Sequence, residues 1–114
     1  MISELEKILK VLSDKNRIRI VRLLEKRKLC VCELAFVLAI KQPSVSRHLK
    51  KLKSVGLIEE EQDSFWTNYT LRLNSNKNFT ALLRNLNTWL KEDDQIKKDV
   101  IKLSQADRKK LCCK

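Results

Sequence analysis

Apolar positions recur along this chain at intervals that change partway. Ile2, Leu5, Ile8, Leu9 and Leu12 fall three and four residues apart, which predicts a first amphipathic helix. Ser13-Asp14 breaks that run and offers an N-cap for a second helix. Ile18, Val21 and Leu24 stripe this helix, with Arg17, Arg19, Arg22 and Lys26 on its other faces. The apolar stretch 30–40 is long enough for about three turns. Lys41-Gln42-Pro43-Ser44 is the next break, because Pro43 suits a first helical turn and disfavours helix just before it. Val45, Leu49, Leu52 and Val55 then follow at helical spacing, and Gly56 falls where a C-cap belongs.

The rhythm changes at Leu57-Ile58. From Glu59 to Leu73 the pattern fits two short strands, with a turn at Gln62-Asp63-Ser64. Asn74-Ser75-Asn76 closes the unit and can cap a long helix striped by Phe79, Leu82, Leu83, Leu86, Trp89 and Leu90. Glu92-Asp93-Asp94 interrupts it, and Ile96, Val100 and Leu103 mark a last helix. The predicted class is mainly α (α+β), with five to six helices and a two-stranded hairpin in a single domain over 1–114. A short helix, a tight turn and a second helix make a helix-turn-helix, whose recognition helix would be about 44–55.

Charge gives this outline a partner. The net charge is +11 and the sequence pI about 9.8, a footprint that calls for a polyanion such as double-stranded DNA. No acidic residue lies between Leu34 and Ile58, while Lys41, Arg47, Lys50, Lys51 and Lys53 do. Phosphate contact needs such a segment, whereas an ordinary solvated face mixes signs. The candidate DNA-binding residues are Gln42, Ser44, Ser46, Arg47, His48, Lys50 and Lys51: Arg can take guanine, Gln adenine, and Ser either bases or phosphates.

No run approaches the ~20 apolar residues of a membrane span, and the acidic start Met1-Ile2-Ser3-Glu4 lacks a signal-peptide core, so a cytoplasmic protein is expected. In that reducing compartment Cys30, Cys32, Cys112 and Cys113 point to metal or redox chemistry. An enzyme is the weakest reading, since the sequence shows no acid–base pair around a nucleophile, no Gly-rich phosphate loop and no His-Glu metal motif.

Leu29-Cys30-Val31-Cys32-Glu33-Leu34, Gln42-Pro43-Ser44-Val45-Ser46-Arg47-His48-Leu49 and Val55-Gly56-Leu57-Ile58 together resemble the ArsR/SmtB-type metal- and metalloid-sensing repressors, in their arsenic-responsive branch. The resemblance runs over residues 5–73 and implies a homodimeric winged helix-turn-helix repressor released from its operator when a metal or metalloid binds. The wing would be about 58–73 and the C-terminal dimerisation helices about 76–112, with Leu5, Ile8, Leu9, Phe79, Leu83 and Leu86 at the dimer interface. The implied metal ligands are Cys30 and Cys32; Ala35 stands where the branch carries a third cysteine, which leaves Cys112 or Cys113, a small exogenous thiol, or no third ligand as the alternatives. Thiolates suit As(III) or Sb(III) as inducer, or alternatively Cd(II), Pb(II) or Cu(I).

Two cysteines at i, i+2 point about 200° apart on an ideal helix, so an ion shared by both requires an extended or unwound first turn. A helix N-terminus there would favour the thiolate. The wing tip departs from the family pattern, with Asp63 where basic residues are usual. Two alternatives remain: a redox-sensing repressor of the same fold, and a helical protein–protein adaptor that does not bind DNA.

Overall fold

The computed structural model describes residues 2–72 and 77–111, the side chain of Lys109 excepted. Helix α1 (Ile2–Leu12) ends where Asp14 begins α2 (Lys15–Lys26), the Asp14 carboxylate accepting from the Asn16 and Arg17 backbone N–H groups at 2.9 and 3.1 Å. Helix α3 (Val31–Leu38) is short. It closes on Ala39, whose φ of 57° places it in the left-handed region. Pro43 lies in the first turn of α4 (Gln42–Ser54), as its fixed φ and missing N–H dictate. At the other end of α4 the N–H groups of Gly56 and Leu57 bond to the Lys53 and Leu52 carbonyls at 3.0 and 3.2 Å. This pair of bonds needs a left-handed residue, and Gly56 supplies it with a φ of 77°.

Strands β1 (Ile58–Asp63) and β2 (Trp66–Leu71) pair antiparallel from Ile58 opposite Leu71 to Asp63 opposite Trp66. The turn is therefore Ser64-Phe65, one residue beyond the expected centre, with Ser64 at a φ of 57°. Leu29 adds an isolated bridge to β2, exchanging backbone bonds with Tyr69 at 3.3 and 2.8 Å. The expected cap at Asn74-Ser75-Asn76 lies outside the described residues. Helices α5 (Lys77–Leu90) and α6 (Asp94–Leu103) follow, with Asp93 capping α6 through a bond from the Ile96 N–H at 3.1 Å. A one-turn helix, α7 (Arg108–Leu111), stands apart from α6.

The core is built on α2, where Ile20, Val21 and Leu23 are almost fully buried. Leu34, Val37 and Leu38 of α3, Val45, Leu49 and Leu52 of α4, and Leu57-Ile58 pack into the same cluster. This apolar stripe fixes which face of α4 looks outward. The arginines of α2, on the faces away from its apolar stripe, are internal ties. Arg19 forms a two-point ion pair with the buried Asp99 of α6, both bonds 2.9 Å. Arg17 bonds to the Val11 carbonyl, and Arg22 is buried beside Glu25. A helix crowded on several sides places even its charged positions under a neighbour.

Candidate nucleic-acid interface and cysteine turn

Val45, Leu49 and Leu52 anchor α4 from one side. At 100° per residue, Arg47 and Lys50 then point nearly opposite the core, with Ser46 and Lys51 flanking them. Gln42, Ser46, Arg47, Lys50 and Lys51 are exposed, and Ser44 is half-buried with its Oγ accepting from Arg47 Nη2 at 3.1 Å. His48 does not join this row. Its ring turns to α2, where Nδ1 accepts from Arg17 Nε at 3.1 Å. Burial lowers the His48 pKa from its ordinary 6.5, and Arg17 and Arg47 act in the same direction against Asp14. His48 is thus held as a neutral acceptor tying α4 to α2.

The hairpin beside this face is acidic along one strand. Glu59, Glu60, Glu61 and Asp63 are all exposed. Glu60 pairs with Lys53 at the end of α4 and Glu61 with Lys28, at 2.8 and 2.9 Å.

Cys30 is the N-cap of α3, in extended backbone conformation, and Cys32 is its second residue. Only Cys32 is therefore within the helix; the Cys30 sulfur faces the Glu33 N–H and the Cys32 sulfur faces Gln42. Cys30 and Glu33 form a reciprocal cap: the Cys30 N–H bonds to Glu33 Oε1 at 3.0 Å, and the Glu33 N–H faces the Cys30 sulfur. Cys30 is buried, and this burial raises its thiol pKa from the ordinary 9.0, with the Glu33 carboxylate adding to the rise. The helix N-terminus expected to favour thiolate acts here only through the Glu33 N–H, and desolvation outweighs it. Cys32 is half-buried. Its Sγ accepts from Gln42 Nε2 at 3.5 Å, so the cysteine turn touches the first residue of α4.

Glu33 had no assigned role in the sequence, yet it is the centre of a buried polar cluster. Its carboxylate receives Arg27 and Arg108, each at 3.1 Å, besides the Cys30 N–H. Burial by itself would raise the Glu33 pKa, but Cys30, Arg108 and Arg27 together lower it below the ordinary 4.5. Arg108 continues to Asn68, buried on β2, and lies over the Trp66 ring at 4.8 Å. One cluster thus joins α3, the hairpin and α7. A Glu three residues after the cap was the readable signal; Arg108, 75 residues away, gave none.

Among the described residues no group of three or more Cys, His, Asp or Glu side chains could hold a metal. Cys30 and Cys32 supply two sulfurs, and Cys112 and Cys113 lie outside the described residues. Of the expected dimer residues, Leu5 and Leu9 are exposed and Leu86 is half-buried, whereas Ile8, Phe79 and Leu83 fill the chain's own core. No helix of the described residues is long and apolar enough to cross a membrane.

Residues 14–60 match the family described as bacterial regulatory protein, arsR family. An uncharacterized HTH-type transcriptional regulator, MJ1325, of Methanocaldococcus jannaschii is 35% identical over 63 residues, which cover 54% of this chain and 71% of that protein. The chain belongs to the ArsR family. An arsenical resistance operon repressor of Escherichia coli is 42% identical over 65 residues, 56% of each chain. The chain thus spans about half the length of the first relatives it matches. Among solved structures, the transcriptional repressor BigR from Xylella fastidiosa superposes with a TM-score of 0.69 at 26% identity, covering 81% of this chain and 88% of that one. The fold is a winged helix-turn-helix, with α3 and α4 as its two helices and β1–β2 as its wing. The relatives of this ArsR-family chain are transcriptional regulators, not enzymes.

Proposed function

We propose that this chain is a repressor that binds operator DNA as a homodimer through α4 and lets go when a soft ion, As(III) or Sb(III), binds Cys30 and Cys32. The contact from Gln42 to the Cys32 sulfur carries the reading. An ion taking up that sulfur removes the acceptor Gln42 uses and pulls on the first turn of α3. Gln42 is the first residue of the helix that carries Ser46, Arg47 and Lys50. A coupling of about 1–3 kcal/mol gives a 5–150-fold loss of DNA affinity. The similarity to an arsenical resistance operon repressor supports the choice of ion. Sulfur-only donors select the same soft class, with Cd(II), Pb(II) and Cu(I) next in line. A third thiolate for As(III) would come from Cys112 or Cys113.

The test is fluorescence anisotropy on the DNA upstream of the protein's own gene, with arsenite titrated into the complex under reductant. Release in the wild type and none in Cys30→Ser/Cys32→Ser is the expected result. Arsenite that leaves the complex intact removes the proposed inducer. Release by oxidant alone moves the switch to thiol oxidation. Failure to bind duplex DNA with a steep salt dependence removes the repressor itself.

A further inference from the structure

The cysteine turn is one sulfur short for a three-coordinate ion, and its own helix cannot make up the difference. One turn beyond Cys32 stands Ala35, half-buried against the core. The Glu33 carboxylate is already shared by the Cys30 N–H, Arg27 and Arg108. What does reach the turn is the end of the chain. Helix α6 closes on Leu103 in the core, and α7 then opens at Arg108 against α3. A single oxygen, Glu33 Oε1, accepts both the Cys30 N–H at 3.0 Å and Arg108 Nη2 at 3.1 Å. The same Nη2 donates to the buried Asn68, and the Arg108 guanidinium lies 4.8 Å from the centre of the Trp66 ring. With Glu33, Asn68 and Trp66 around it, only 22% of this side chain is exposed. Leu111, the last described residue, is half-buried too.

The sequence continues with Cys112 and Cys113. Consecutive Cα atoms are about 3.8 Å apart, so both of theirs lie within roughly 8 Å of the Leu111 Cα. A tail arriving from a second copy would have to displace α7 from this place, and with it the pair between Arg108 and Glu33. We propose that α7 is a strap that holds the C-terminal cysteines beside the cysteine turn of the same chain, so that each chain by itself builds a three-sulfur site for trivalent arsenic. Arg108 is the positioning residue of that site. The inference rests on the reading of Cys30 and Cys32 as ligands. It adds which chain supplies the third sulfur and what holds that sulfur in place. In the ligation, arsenious acid exchanges three As–O bonds for three As–S bonds. Each thiol proton leaves with a hydroxide as water, and nothing is oxidised or reduced. The tether makes the third bond an intramolecular event, so cutting the strap weakens binding without removing a donor.

Placement and ligation are tested separately, on the whole chain. For placement, isotopically heavy and light chains are unfolded and refolded together under reductant. The reductant is removed and dibromobimane is added, which joins two thiols only where they are neighbours. Peptide mass spectrometry should show Cys30 or Cys32 joined to Cys112 or Cys113, both halves light or both heavy. Pairs of mixed label overturn the same-chain assignment, and the lack of any link from turn to tail overturns the placement. For ligation, arsenite is added in a phosphine reductant that supplies no thiol, and X-ray absorption counts the sulfurs around arsenic. Three are expected in the wild type and two in Cys112→Ser/Cys113→Ser, whose arsenite affinity should fall at least about tenfold. Arg108→Ala should lower both the yield of the link and the arsenite affinity while the saturated site keeps three sulfurs. Arg108→Lys, which retains a donor for Glu33, should recover part of each. If Arg108→Ala does not fold, the serine variants at the end of the chain carry the test. Arsenic bound by the wild type through two sulfurs, or unchanged affinity in the double serine variant, overturns this proposal alone. A wild type that binds no arsenite ends the parent reading as well.

Discussion

Ala39 occupies a backbone conformation that suits glycine. Its φ of 57° lets the N–H groups of Ala39 and Ile40 both reach the Ala35 carbonyl, closing α3 and setting the turn before α4. A β-carbon in the left-handed region costs about 1–2 kcal/mol, partly offset by the greater unfolded-state freedom of glycine. Ala39→Gly should therefore raise the unfolding free energy in urea by about 0.5–1 kcal/mol with an unchanged slope. A loss of stability would mean that the Ala39 methyl contributes packing the turn depends on. Gly56 shows the same geometry at the end of α4 without that strain.

At the scale of elements, the Glu33 cluster does what no single helix could. It fixes the start of α3 to the hairpin and to α7 through one carboxylate. Glu33 is held below its ordinary pKa in the folded chain, so it contributes stability that is complete above 4.5 and is lost as pH falls through the depressed value. Glu33→Gln should lower stability at neutral pH by about 1–3 kcal/mol and flatten the acid limb of the Tm-against-pH curve. An acid limb as steep in the variant as in the wild type would assign the acid sensitivity to other carboxylates. The caps at Asp14, Pro43 and Gly56 were legible in the sequence because capping is decided within four residues. So was the outward row of α4, since Val45, Leu49 and Leu52 set its phase. Arg19 with Asp99 and Glu33 with Arg108 were not legible, because each pair is 75 residues apart or more and polar pairing over such distance leaves no period to read. The same limit explains His48, whose turn toward Arg17 depends on where α2 crosses α4.

For the whole molecule, the surface of α1 bears on assembly. Ile2, Leu5 and Leu9 are exposed and line a shallow apolar groove of ≈ 390 Å³. With a net charge of +11 on each chain, association must overcome repulsion, and an apolar contact is the physical means. A two-fold contact uses each residue twice, so Leu9→Glu should lose about 3 kcal/mol or more of association energy. Sedimentation should then show monomer where the proposal expects a wild-type dimer. A monomeric wild type at micromolar concentration would remove the homodimer from the proposal. The acidic strand of the wing bears on a different property, the length of sequence the protein can read. Narrow A·T-rich grooves attract arginine and lysine through their negative potential, and a strand carrying Glu59, Glu60, Glu61 and Asp63 is turned away by that potential. In the proposed complex the wing therefore adds no direct base contact, and the base pairs flanking each half-site act only through how readily they bend.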